Sequence, residues 1–372
     1  MIVDTELSKQ YYQCDIKEHA KKKSMWGGSF EASDHDEYIL VDSCFINQIV
    51  RYADSLNKNF DEILVNVVDV YIKSRELPVA HRVSICTIEF TRDGYISIYN
   101  NGQGIPTGVV TNLEGNPIYT PQLLATVFLA GSNNDNDEKR ITGGVNGVGL
   151  SMVNANSTHF ILETADLTRK QHYKQECFNR LDEIGEPVIT PIGKRKGTTI
   201  KFLPAYNIYN CDIKDDKEYN TLNNLFKSRA YQIAAHTKLK ITYNGESLLD
   251  VKDRISGYAK MFIADSKYIT TRLEHSLYPW DVVIGLSSGS FESLSIINGV
   301  CVKTGNHINY IRDLIINGLK SQVVKLLKNF REYKKTMVQS NLFIIISGNI
   351  PNPAFDSQTK NNISGDTSKY LE

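Results

Sequence analysis

The sequence predicts an α+β fold built in more than one part. Three observations carry this: short runs that alternate apolar and polar residues, longer runs with helical spacing, and a restart of the pattern past Gly245. At roughly 150 residues per domain, 372 residues suggest two or three units, each able to bury its own core.

Residues 1–35 are polar and read as an arm, with Lys21-Lys22-Lys23 running into a Ser24-Met25-Trp26-Gly27-Gly28 turn. Residues 42–76 have helical periodicity. Residues 83–90 and 95–100 alternate like strands, and Arg92-Asp93-Gly94 between them supplies a hairpin turn. A buried helix is expected over 121–131. Ser132 to Gly149 is rich in Gly, Asn and Asp, a long loop of the kind that in a compact domain is either functional or disordered. Strands near 158–164 and 197–203 and a helix over 221–237 complete the first unit. The second has a helix near 252–263, strands near 281–287 and 293–301, a helix over 309–328 and a strand at 341–347. These readings divide the chain into an arm (1–35), a first domain (36–246) and a second (247–372).

With 42 Lys+Arg against 42 Asp+Glu, 41% hydrophobic and 23% charged residues, the chain has the composition of an ordinary globular protein. Zero net charge argues against nucleic-acid binding by the chain as a whole, so any such contact must be local. No stretch approaches the roughly 20 apolar residues of a membrane span, and Met1 to Gln10 does not read as a secretory signal. Six cysteines at 14, 44, 86, 177, 211 and 301 lack zinc spacing and read as reduced, buried thiols.

Three segments carry chemistry. On a helix, Glu62, Asn66 and Asp69 stand at i, i+4 and i+7, one polar stripe among Ile, Leu and Val. Buried polar groups need partners. A water and a metal satisfy these two, with Glu62 as base toward the water and Asn66 as an oxygen ligand for Mg2+; pairing with a neighbouring strand explains them equally well. Asn100-Asn101-Gly102-Gln103-Gly104 follows a strand. Its glycines admit a flat ligand, and the Asn100 amide oxygen can accept from an adenine amine, although an ordinary Asn-Gly turn reads the same way. Gly143 to Ser151 is a glycine-rich run opening a helix, hence an anion cradle of backbone N–H groups. Leu150 stands where a P-loop needs its lysine, and Met152 where a dinucleotide fingerprint needs its third glycine. Such a cradle must import a cation from elsewhere.

In this order and spacing the segments resemble the Bergerat (GHKL) ATP-binding fold of type II topoisomerases, mismatch-repair clamps, heat-shock chaperones and histidine kinases. FDEILVN at 60–66, NNGQGIP at 100–106, the run at 131–149, KSRAYQIAAHT at 227–237, YNG at 243–245 and NPAFDSQTK at 352–360 narrow it to the ATPase region of a type IIA DNA topoisomerase of the eukaryotic and viral branch. The Lys/Asn-rich flavour is similar to that of large DNA viruses. The DSQTK loop and NNG sequence argue against a chaperone or mismatch-repair protein, and the intact Glu62–Asn66 pair against a non-catalytic scaffold.

The resemblance implies a Bergerat α/β sandwich followed by a transducer domain of the ribosomal-protein-like ββαβ type, acting as an ATP-driven homodimeric clamp on DNA. By it Glu62 is the general base and Asn66 the Mg2+ ligand, and Asn100 holds the adenosine end. Ser132 and Asn133 meet ribose and phosphates, and Gly144, Val145, Asn146, Gly147, Val148, Gly149, Leu150 and Ser151 cradle the triphosphate. Thr198 lies near the nucleotide, and Gln358 and Lys360 belong to the transducer's switch loop, with Lys360 supplying the missing γ-phosphate cation. Tyr11 or Tyr12 of the arm is expected at the partner's ATP, and Lys334 and Lys335 are expected against double-stranded DNA. Three positions depart from the family pattern: Val70 where Asn is frequent, Val145 where the cradle has Arg, and Ser151 where Lys is usual. The reduced cysteines point to an intracellular setting, which the family places in the nucleus or a viral host's cytoplasm. The family also implies a longer enzyme of which these 372 residues are a fragment with a truncated transducer.

Overall fold

The computed structural model describes residues 16–22, 27–131, 147–263, 268–274, 278–326, 334–356 and 360–365. A short helix α1 (Ile16–Lys22) lies within the expected arm. A hairpin follows, β1 (Ala32–Val41) and β2 (Cys44–Ala53), closed by Asp42 and Ser43 at φ 46° and 74°. Two left-handed central residues make the tight turn whose twist matches antiparallel strands. Residues 44–53 are therefore strand, not helix. Phe45, Ile46, Ile49 and Val50 imitate helical spacing, but Phe45, Val50 and Tyr52 are the side chains that go inward. Helix α2 (Asp54–Ser74) begins directly after.

The first sheet is built from β3 (Ile85–Phe90), β4 (Ile96–Asn100), β7 (Ser157–Asp166), β8 (Gln171–Phe178), β9 (Glu183–Ile184), β10 (Val188–Pro191), β11 (Gly197–Pro204), β12 (Lys240–Tyr243) and β13 (Glu246–Ser247). Its order is β10-β8-β7-β11-β4-β3-β12-β13, with β9 beside β8; the small hairpin of β5 (Val109–Thr111) and β6 (Pro117–Tyr119) stands apart. The β3–β4 hairpin is the expected one, and Ile96, Ile98 and Asn100 alternate inward as its pattern requires. Helices α2, α4 (Gly149–Ala155) and α5 (Asp216–His236) cover this inner face, and α3 (Thr120–Thr126) packs on α4. Asp215 caps α5 by accepting from the Lys217 and Glu218 amides. Phe60 of α2 stacks on Phe226 of α5 at 4.3 Å, closing the core between them.

Helix α6 (Arg254–Lys260) leads to a second sheet of order β14-β15-β19-β16-β17, where β14 is Ile269–Leu273, β15 Trp280–Leu286, β16 Glu292–Ile297, β17 Val300–Cys301 and β19 Leu342–Gly348. The expected strand at 293–301 is thus a tight hairpin, turning at Asn298 and Gly299. Helices α7 (Asn306–Leu326) and α8 (Lys335–Gln339) belong to this half. β18 (Thr304–Gly305) pairs in parallel with β20 (Asn362–Ile363), which fixes the chain just past Lys360.

Among the described residues the two largest cores share α2. Phe60, Ile63, Leu64 and Val67 face the first, whereas Val65 is buried with Trp280, Ile297, Val300 and Ile344 of the second. The β1–β2 hairpin adds a third contact: Phe45 stacks on Phe262 at 4.6 Å and meets Tyr231 and Tyr258 edge-on. Among the described residues no helix is long and apolar enough to cross a membrane.

Candidate active site

Between α2 and the inner face of β4 and β11 lies a cavity of about 240 Å³. Helix α2 turns the whole polar stripe into it: Glu62, Asn66 and Asp69 all line the wall, with Val70 and Lys73 beyond them. Glu62 is 3% exposed and Asn66 half-buried, so the carboxylate stands deep and the amide nearer solvent.

The deep end is crowded with charge. Lys58, one turn before Glu62, reaches Glu62 Oε1 at 3.2 Å and Asp61 Oδ2 at 2.7 Å. Lys360 enters from the second half, Nζ 3.6 Å from the same Oε1. Lys360 is buried and has φ +60°, a left-handed backbone that non-glycine residues adopt at some cost. Both ammonium groups thus meet the same buried oxygen, Oε1, as ion pairs. Burial pushes the Glu62 carboxyl up, but Lys360 and then Lys58 outweigh it and hold it below the ordinary carboxylate value. The group is an ionised carboxylate held between two lysines.

Glu62 Oε2 lies against the start of α4. A Cβ added at Gly149 would stand 2.4 Å from it, so only glycine lets the helix start approach the carboxylate this closely. Gly147, at φ +61°, turns the chain back against the Ala130 carbonyl. Gly147, Val148, Gly149 and Leu150 line the cavity. Ser151 differs: it is fully buried, and its hydroxyl donates to the Val148 carbonyl at 3.1 Å, so its side chain faces its own helix.

At the opposite end Asn100 closes β4. Its amide nitrogen donates to the Asn101 carbonyl at 2.8 Å, which leaves the oxygen end as acceptor. Thr198 is its register partner on β11 and shares a 2.8 Å hydrogen bond with Thr164, whose hydroxyl also accepts from the Ile105 amide. Gly104, at φ +78°, lets this loop lie flush on β7, where a Cβ would fall 2.2 Å from the Ala165 carbonyl.

The structure thus brings together Glu62, Asn66, Asn100, Gly147, Val148, Gly149, Leu150, Thr198 and Lys360 around one cavity. Ser132, Asn133, Gly144, Val145, Asn146, Gln358, Tyr11 and Tyr12 lie outside the described residues. Lys334 and Lys335 are exposed at the start of α8 and do not line the cavity. Sequence reasoning missed Lys58 and the Thr164 hydroxyl. The first had a signal, since a lysine at i−4 from Glu62 and i−3 from Asp61 is placed to pair with both.

Among the described residues no group of three His, Cys, Asp or Glu side chains could hold a metal by itself. The donor set suits Mg2+ carried in by phosphates, which keeps waters and takes only one or two protein oxygens.

A DNA gyrase B family model matches residues 253–370. The chain is 32% identical to DNA topoisomerase 2-alpha of Homo sapiens over 348 residues, 91% of this chain and 22% of that protein. DNA topoisomerase 2 of Penicillium chrysogenum is 29% identical over 99% of this chain and 23% of its own length. The chain therefore spans under a quarter of either relative. Among solved structures, the ATPase region of Saccharomyces cerevisiae topoisomerase II superposes with a TM-score of 0.85 at 28% identity, covering 98% of this chain and 93% of that one. The 43K ATPase domain of Thermus thermophilus gyrase B, with a TM-score of 0.59 at 20% identity over 84% of this chain and 80% of that one, shares the fold.

Proposed function

The chain belongs to the type II DNA topoisomerase family as a homologue of its ATPase region, and we propose that it binds and hydrolyses ATP in the Glu62 cavity to drive a dimeric clamp on DNA. The observation that carries the reading is the meeting of Glu62, from the first sheet's helix, with Lys360, from a loop of the second half. A base and a phosphate cation supplied by different parts of the chain are what a nucleotide-operated coupling device needs.

In this reading Asn100 orients the adenine through its amide oxygen, and Thr198 lines the same end. The N–H groups from Gly147 to Ser151 hold phosphate oxygens at the start of α4. Lys360 leaves Glu62 to hold the γ-phosphate, and Glu62 takes the proton from the attacking water on its carboxylate. Asn66 holds Mg2+, which when bound neutralises phosphate charge. Gln358, Ser132, Asn133 and the 144–146 backbone complete the cradle in the proposal.

We further propose the division into an arm (1–35), an ATPase domain (36–246) and a transducer (247–372), a homodimer exchanging arms so that Tyr11 or Tyr12 reaches the partner's ATP, and Lys334 and Lys335 as DNA contacts. Its setting is intracellular, in the nucleus or a viral host's cytoplasm. Glu62→Ala tests the core of it. The variant should bind ATP yet turn over at least about a hundredfold more slowly, the scale of a lost general base; undiminished hydrolysis would sink the assignment. Size measured with and without a non-hydrolysable analogue tests the clamp, which should dimerise only with nucleotide.

A further inference from the structure

Asp61 sits next to Glu62 on α2 but faces the other way, out of the nucleotide cavity. Its carboxylate divides between two cations, Lys58 on Oδ2 at 2.7 Å and Arg229 Nε on Oδ1 at 2.6 Å. All three side chains are buried. Lys58 is in turn shared between Asp61 and Glu62. The charge Arg229 brings to Asp61 therefore decides how much of Lys58 is left for Glu62.

The same guanidinium does a second thing. It donates through Nη2 to the Gly299 carbonyl, in the turn between β16 and β17. That turn is fixed on every side. The Gly299 N–H donates to His236 Nε2 at 3.1 Å. Asn298 exchanges two hydrogen bonds with the Ile350 backbone, each 2.8 Å, on the segment that runs on to Lys360. A Cβ at Gly299 would lie 2.9 Å from Val68, so the turn is pressed directly on the helix that carries Glu62. A planar guanidinium can hold a carboxylate and a carbonyl at once; an ammonium on a flexible stem is a point charge.

We propose that Arg229 is a positioning residue that couples the second sheet to the general base, by gripping the Asn298–Gly299 turn and the Asp61–Lys58–Glu62 ion pairs with one side chain. Movement of the turn draws Arg229 off Asp61, Lys58 swings to Asp61, and Glu62 loses one of the two cations that hold it. The proposal rests on the reading of Glu62 as base.

A double-mutant cycle in ATP turnover tests it. Arg229→Lys leaves a single point charge that cannot hold Asp61 and the Gly299 carbonyl at once, so it pairs Asp61 less well and Lys58 is drawn off Glu62. In this variant kcat should fall about tenfold with KM within about twofold, since the nucleotide contacts are untouched. Asn298→Ala loosens the turn from outside the cavity and should lower kcat several-fold. In the Arg229→Lys background it should cost no more than about twofold, because coupled residues are not additive. Equal cost of Asn298→Ala in both backgrounds, or unchanged kcat in folded Arg229→Lys protein, overturns the proposal. If Arg229→Lys does not fold, the cycle is run with Glu62→Gln in its place, where Asn298→Ala must likewise lose its effect and an undiminished effect overturns the coupling. Full turnover by Glu62→Gln itself defeats the base assignment instead, so the two failures are told apart.

Discussion

Lys360 Nζ lies 3.6 Å from Glu62 Oε1, and both residues are 3% exposed. One lysine thus neutralises the buried carboxylate, and in the proposed reading its transfer to a phosphate would leave Glu62 a stronger proton acceptor.

Lys360→Met should show both halves of that role. Loss of the phosphate cation should lower kcat/KM by about a hundredfold, the scale of a buried charge-assisted contact. With the Lys360 charge gone, the Glu62 pKa rises, so the acidic limb of kcat/KM should move to higher pH than in the parent chain. Turnover titrated from neutral pH down through and below the ordinary carboxylate range checks this; a limb that stays in place would show that Lys360 does not act on Glu62.

Gly149→Ala tests the other side of the same carboxylate. Alanine favours a helix by about 1 kcal/mol over glycine in an interior position, yet the new methyl would stand 2.4 Å from Glu62 Oε2. The variant should fold with little change in Tm and lose at least about tenfold in kcat, because the base is displaced rather than removed. Wild-type turnover in a folded Gly149→Ala protein would contradict the close approach.

Much of this was legible in the sequence because its signals are local. The polar stripe on α2, the β3–β4 hairpin and the strands β7, β11, β15 and β19 each follow from residue spacing. The absence of a P-loop lysine at Leu150 pointed to a distant cation, and Lys360 is a lysine from the second half that lines the same cavity. What stayed hidden depends on packing. β2 reads as a helix because its buried Phe45, Val50 and Tyr52 are chosen by α5, α6 and the second sheet. β8 is a polar strand, its His172 and Tyr173 buried on Glu163 and Gln175 hydrogen bonds that no hydropathy pattern shows. Lys58 reads as a surface lysine until Asp61 and Glu62 are both seen to be buried around it.

Gly197→Ala should be the costly glycine change. Gly197 opens β11 at φ +81°, and a Cβ there would fall 1.9 Å from the Asn100 carbonyl. Neither the backbone nor its neighbour can yield without opening the β4–β11 pairing that sets Asn100 beside Thr198. We expect a loss of about 2–4 kcal/mol in urea unfolding, together with weaker binding of an adenine nucleotide. A change below about 0.5 kcal/mol, typical of an innocuous surface position, would contradict the register.

Stability should fall in mild acid for a reason set by two histidines. Burial, then Arg229 and Arg254, hold His236 down to about 3, and burial holds His307 down to about 4. In the folded chain both are neutral; His236 accepts from the Gly299 N–H at Nε2, which puts its proton on Nδ1, toward Ser347. Unfolded, each titrates near its ordinary value of about 6.5. These are depressed pKa values, so the stability is complete above pH 6.5 and is lost as pH falls, because only the unfolded state takes up the protons. Each histidine contributes a slope of up to about 1.4 kcal/mol per pH unit below 6.5. The unfolding free energy should therefore drop by about 2–3 kcal/mol between pH 7 and 5.5, before most carboxylates titrate. His236→Gln should be less stable at neutral pH, since it breaks the Gly299 contact, yet show about half the slope. An unchanged slope would mean that His236 is protonated in the folded chain, which its two hydrogen bonds and the neighbouring arginines forbid.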